Sequence, residues 1–324
     1  MQTTVVGAYP KIPNRPRPAR LRAAINKRDR GDIPDEELAR VADEVTAEVI
    51  AEQIEAGVDV VTDGQVRWDD DQTYITRHMD GVEIGGLQRY LDTNTYYRQP
   101  EIVGAVGLAE PVTVNDYKFA VEKSSKPVKA ILPGPYTLAV LSLDKHYNDR
   151  EKLVMAFAEG LRVEVDALVA AGATAIQVND PMIVVQKDGA ALAARALTKM
   201  LDGVDAETGV YTWFDGAYGI LHHLLDTPAD VVGLDFVWGP DNWEALKDVD
   251  FDKKLGFGIV DGRNTRQETE GEIADAIKRV SEFVPSERLY VNPSCNLEYL
   301  PRETALDKLK TMVAGARKAD SVAA

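Results

Sequence analysis

The sequence predicts an α/β protein: a (β/α)8 TIM barrel with a long βα insertion after the second strand. Three observations carry this reading. Helix-like segments that end in Gly feed short apolar runs repeatedly along the 324 residues, the rhythm of a parallel sheet covered by helices. About eight such strands can be traced, the number that closes a barrel. Residues 66–127 break the rhythm and read as an insertion carrying a hairpin over one end of the barrel. A doubly wound open sheet is the alternative that the same rhythm allows.

The elements follow in order. "TTVVGAYP" (3–10) reads as a short strand stopped by a Gly-Ala-Tyr-Pro turn. Residues 35–57 space their apolar positions as a helix, end in Gly, and lead into the strand "VDVVTDG" (58–64). "VKAILPG" (128–134) is a strand with a Pro-Gly stop, and the helical stretch 150–172 feeds "ATAIQVNDP" (173–181). Helical patterns near 188–202 and 217–226 precede the strands "GVYTWFDG" (209–216) and "DVVGLDF" (230–236). "WEALKDV" leads to "KLGFGIVDG" (254–262), 270–284 to "RLYVNPSC", and a last helix covers about 302–318. The chain, 1–324, is expected to form one barrel domain.

Composition narrows the function classes. With 45% apolar residues the chain can bury a large core. No run of about 18 uncharged apolar residues predicts a membrane span, and the first residues lack the basic and apolar regions of a signal peptide. A single cysteine fits a reducing, cytoplasmic setting. The 37 basic and 53 acidic residues give a net charge of −16, a field that repels nucleic acid. Small-molecule chemistry is the remaining expectation.

In such a barrel the chemistry gathers where strands end, because the βα loops meet there. The residues to examine are therefore Ala8, Gln65, Asn179, Asp180, Tyr211, Trp213, Asp235, Trp238, Asp261, Arg263 and Cys295. Trp68 and Asp69, directly after Gln65, join them as candidates for substrate contact. Asp180 and Asp261 could act as acids or bases, or cap the helices that follow them. Cys295 could be reactive, or a small buried hydrophobe. The four histidines show no metal-ligand spacing, and neither GxGxxG nor a P-loop is present.

Four stretches in order, "VVGAYPK", "VKAILPGPYTLAVLS", "AIQVNDP" and "SERLYVNPSCNLEYLPRETALDKLKTMV", resemble the C-terminal catalytic barrel of cobalamin-independent methionine synthase. The resemblance spans nearly the whole chain. It implies methyl transfer from a methyltetrahydrofolate-type donor to homocysteine or another small acceptor. It also implies a zinc held by His-x-Cys, a Glu and a last Cys, which activates the acceptor sulfur. Cys295 stands at the last position and Asp235 at the Glu, but the His-x-Cys pair is replaced by Tyr211-Thr212-Trp213. Neither phenol nor indole is a plausible zinc ligand at neutral pH. Asp235 and Cys295 are too few for a tight site, so zinc is not expected.

Other departures point the same way. Gln65, Asn179 and Ala8 replace a Glu, an Asp and a Ser, and Arg263 stands where the family has an acid–base histidine. Three anchors for an α-ammonium have lost their charge or hydroxyl, and Arg263 can clamp an anion but cannot cycle a proton. The expectation is a methyltransferase-type enzyme with a degenerate zinc site, with Cys295, Asp235, Asp261 and Arg263 as catalytic candidates. Alternatives are a metal-free barrel enzyme on another small substrate, or a ligand-binding partner of a paralogous zinc-containing methionine synthase barrel.

Overall fold

The computed structural model describes residues 1–323. In chain order the strands are β1 (Gln2–Thr3), β2 (Asp80–Arg89), β3 (Tyr96–Gly107), β4 (Ala130–Pro133), β5 (Leu143–Asp144), β6 (Ala175–Asn179), β7 (Glu207–Tyr211), β8 (Val231–Asp235), β9 (Lys254–Val260) and β10 (Leu289–Pro293). Seven form one parallel sheet in the order β1-β10-β9-β8-β7-β6-β4. Its two edges meet through residues 60 and 61: Thr4 bridges to Val60 and Val61 to Val128, both parallel. The sheet thus curls into a TIM-like barrel whose eighth stave is the short segment expected at 58–64. That stave has only isolated bridges; its backbone bonds run from Val60 to Thr3 and from Val61 to Pro127.

The outer helices include Asp35–Glu55, Arg150–Ala170, Ala190–Leu201, Glu270–Val280 and Arg302–Ala323. Their starts are locally encoded. Asp149 accepts from Lys152 N, and Thr269 forms a capping box with Glu272. Two of the expected helices shrink, to Leu221–Leu225 and Asn242–Ala245, and a helix not foreseen, Arg20–Asp29, precedes the first long one.

Residues 66–127 hold a short helix, Thr73–Thr76, the antiparallel pair β2–β3, and the helix Val114–Lys123. The pair is extended by β5, parallel to β3, from the loop after β4. Glu164, fully buried, accepts from the backbone N–H groups of Val112 (2.7 Å) and Thr113 (2.6 Å). The segment after β3 is thereby tied to the long helix Arg150–Ala170.

Inside the barrel, Gly209, Gly233 and Gly256 leave room that one ring fills. A Cβ at Gly233 would lie 2.2 Å from the Tyr211 ring, and one at Gly256 2.7 Å from it. Both are well inside contact distance, so the small residues on these staves are what admit the tyrosine.

Candidate functional site at the carboxyl mouth of the barrel

The residues that follow β1, the second stave and β10 form one hydrogen-bonded cluster, and the end of β6 packs beside it around Gly7. Ala8 N donates to Asn296 Oδ1 (3.0 Å), Asn296 Nδ2 to Asp71 Oδ2 (3.1 Å), and Gln65 Nε2 to Asp71 Oδ1 (3.1 Å). Gln177 Nε2 donates to Asn179 Oδ1 (2.6 Å). Each amide is oriented by what it must satisfy. Three side-chain atoms of this set stay buried without partners: Gln177 Oε1, and a pair made of one acceptor, Gln65 Oε1, and one donor, Asn179 Nδ2. Both flank Gly7, whose absent Cβ would lie 2.6 Å from the first and 3.3 Å from the second.

The Tyr90 hydroxyl and Trp213 Nε1 face each other above, the indole N–H directed at the phenol oxygen. Tyr90 follows β2 and carries the hairpin over the mouth, 6.3 Å from Phe214 between ring centroids; Phe214 is 5.9 Å from Tyr299. Buried polar groups are nearly always satisfied, so the orphaned Gln65 Oε1 and Asn179 Nδ2 make this end of the barrel the candidate ligand site. Gln65 (φ 50°) and Phe214 (φ 74°) hold left-handed backbone conformations at the same mouth, strain that clusters at functional sites.

The mouth is acidic. Burial, with the Glu298 and Asp70 carboxylates, pushes Asp71 up to about 7, and burial raises Glu298 too. Lys11 is the nearby cation that opposes both shifts; its amine donates to the carbonyls of Trp68 and Gln65. Asp235, fully buried, accepts from Phe214 N (3.0 Å), Val237 N (2.9 Å) and Trp238 N (2.9 Å). Burial nevertheless moves it up to about 7. The Cys295 thiol is fully buried beside Trp213 and Val6. Burial and then the Asp235 carboxylate raise its pKa well above the ordinary thiol value, so it keeps its proton. Its Sγ lies 3.4 Å from Asn296 O.

Arg263 lies at the rim. Its guanidinium sits 4.5 Å from the Phe214 ring and 4.4 Å from the Trp238 ring and donates to Asp92 O of the hairpin. Asp261 accepts from Arg263 N (2.8 Å) and Trp238 Nε1 (3.3 Å).

Several expected contacts fall elsewhere. Tyr211 turns its ring down the barrel onto the glycines, away from the mouth. Trp68 stacks on Tyr74 at 5.1 Å, and Asp69 pairs with Arg77. Asp180 accepts from Tyr136 N (3.2 Å), Thr137 N (2.7 Å) and Thr137 Oγ1 (2.5 Å), which makes it the cap of Pro135–Leu141. Conversely, Asp71, Tyr90, Asn296, Glu298 and Tyr299 were missed as site residues. Position gave some signal for Asp71 and Asn296, each adjacent to a candidate stretch; nothing in the sequence signals that Tyr90 covers the barrel. Among the described residues, no group of three or more His, Cys, Asp or Glu side chains is arranged to hold a metal ion. No helix among them is long and apolar enough to cross a membrane.

Fold and mouth together define the class: a TIM-like barrel with an acidic, aromatic-roofed site at the carboxyl ends of its strands. The family description "Cobalamin-independent synthase, Catalytic domain" matches residues 1–318. The chain is 31% identical over 319 residues to the methionine synthase of Saccharolobus solfataricus, covering 98% of this chain and 94% of that protein. It is 33% identical to that of Sulfurisphaera tokodaii, covering 98% and 92%. A B12-independent methionine synthase from Shewanella sp. W3-18-1, solved with selenomethionine, superposes with a TM-score of 0.85 at 25% identity, covering 99% and 98% of the two chains. The chain belongs to the family of the cobalamin-independent methionine synthase catalytic domain.

Proposed function

We propose that this chain transfers a methyl group to a small acceptor at the carboxyl mouth, and does so without a zinc ion to activate that acceptor. The donor set supports this reading. Catalytic zinc takes three protein ligands. Here the Trp213 indole offers only an N–H, the Tyr211 ring is turned down the barrel, and Asp235 spends both oxygens on three backbone N–H groups. Cys295 is left as a protonated thiol with no metal partner. The residues present do not fit the family's metal.

The acceptor is read from the base of the site. An α-ammonium brings only donors, which would set N–H against N–H at Asn179 Nδ2. A neutral group that offers both an acceptor and a donor satisfies Asn179 Nδ2 and Gln65 Oε1 together. The acceptor's S–H bond loses its proton to the Asp71–Glu298 pair, both of whose carboxyls burial makes more basic than free ones. The sulfur then takes the methyl group from N5 of a methyltetrahydrofolate-type donor as the N5–CH3 bond breaks, and N5 leaves as the neutral amine by taking up the proton removed from the thiol. Arg263 keeps N–H groups free at the rim for an anionic tail on that donor. The observation that carries the reading is the family match over residues 1–318, combined with the loss of the metal's ligands.

The test is methyl transfer from 5-methyltetrahydrofolate to a thiol series. A thiol bearing a carboxamide should exceed homocysteine in kcat/KM by about tenfold, the worth of one mispaired buried donor. Gln65→Glu combined with Asn179→Asp should reverse the order. Preference for homocysteine in the unmodified protein, or no transfer to any thiol, contradicts the proposal.

A further inference from the structure

A cavity of about 200 Å³ opens at the opposite, amino-terminal end of the barrel, and the methyl-transfer reading makes no use of it. Its walls include Val60, Val128, Ile176 and Val231, with Lys129 and Gln177 among the polar lining. The Tyr211 ring also lines it and, resting on Gly233 and Gly256, lies between this space and the carboxyl mouth.

Two groups here are buried and incompletely paired. Lys129, 8% exposed, donates to Val5 O (3.0 Å) and lies 5.0 Å from the Tyr211 ring centroid. Among the described residues no carboxylate pairs with it. The nearby acid, Glu207 on β7, is already engaged by Lys254 of β9 and by the Tyr290 hydroxyl of β10 (2.7 Å). Burial accordingly lowers Lys129 to about 7, with Glu207 opposing. Gln177 is fully buried; its Nε2 donates to Val6 O and to Asn179 Oδ1, which fixes the amide and leaves Oε1 without a partner.

We propose that this cavity is a second ligand site, for a small hydroxycarboxylate. The carboxylate pairs with the Lys129 amine, the hydroxyl donates to Gln177 Oε1, and the carbon body rests on the valines. Charge favours this ligand class. The lining carries one cation, Lys129, and one acid, Glu207, and Glu207 is already paired with Lys254, which lies outside the lining. A carboxylate alone would leave the Gln177 oxygen bare, and an alcohol alone would leave the amine without a counter-ion.

The experiment uses the unmodified full chain and glycolate as the probe. Acetic anhydride at pH 8 should acylate the Lys129 amine, read by peptide mass spectrometry against the surface lysines. Glycolate at ten times its dissociation constant should slow labelling of Lys129 about tenfold and leave surface lysines unaffected. Propionate, which lacks the hydroxyl, should protect several-fold less, and Gln177→Leu should remove that difference. Lys129→Met should abolish the thermal shift that glycolate produces. No labelling at Lys129, no protection by glycolate, or equal protection by propionate overturns the proposal. The glycolate and propionate protection of Lys129 is read on the unmodified protein, so it decides the proposal even if a variant fails to fold.

Discussion

Asp180→Asn is the substitution whose consequence can be worked furthest. The carboxylate is completely buried and meets only the N–H groups of Tyr136 and Thr137 and the Thr137 hydroxyl. Burial outweighs these three donors and raises its pKa from 3.8 to about 7. A carboxyl whose folded pKa is raised adds stability below its unfolded pKa and loses it as pH climbs through the folded one. Between pH 5 and pH 8 the native protein should therefore lose roughly 2–3 kcal/mol through this single group. An asparagine keeps one acceptor for Thr137, strands Tyr136 N at a cost of about 1–3 kcal/mol, and has no charge to bury. Urea unfolding of both proteins at the two pH values isolates the term, because every other titration cancels in the difference. The variant should be the less stable protein at pH 5 and recover about 2–3 kcal/mol relative to the native chain at pH 8. A stability difference that does not change with pH would refute the assignment of Asp180 as a buried cap with a raised pKa.

Other outcomes follow from the same geometry. Cys295, buried and holding its proton, should resist iodoacetamide at pH 8 in the folded protein and react after unfolding; rapid native-state alkylation would contradict its environment. Gly233→Ala drives a methyl group to 2.2 Å from the Tyr211 ring, so Tyr211 must shift. The loss should be about 1–3 kcal/mol in chemical denaturation, and Tyr211→Ala in the same chain should recover part of it. Glu164→Gln leaves the Val112 and Thr113 N–H groups sharing one acceptor oxygen in place of two, and should cost about 1–3 kcal/mol. Amide hydrogen exchange should rise first around residues 112–123.

The barrel was legible because its evidence is periodic: helix patterns ending in Gly at 57 and 172 sit against the runs 58–64 and 173–181 in the sequence. The runs 230–236 and 254–262 became β8 and β9 for the same reason. The strand ends then nominated Ala8, Gln65, Asn179, Asp235, Trp213, Arg263 and Cys295, which do gather at one mouth. Alternation along a strand gives the side of the sheet, not the tilt of a long side chain, so Tyr211 was expected upward and points down. The difference between a cap and a catalytic acid depends on which backbone N–H groups converge, as at Asp180, and these come from a different stave. Tyr90 reaches the mouth only because the β2–β3 pair folds back over the barrel, a long-range fact with no local pattern. The pairing of Asp71 with Asn296 joins residues 225 positions apart, beyond any motif.

The central claim is that the mouth lacks the ligands to hold zinc. Protein purified without chelator, then equilibrated with a slight excess of zinc and desalted, should retain less than about 0.1 equivalent by elemental analysis, since a tight catalytic site needs three protein ligands. Retention near one equivalent that Cys295→Ala abolishes would contradict the account and restore a metal to this site.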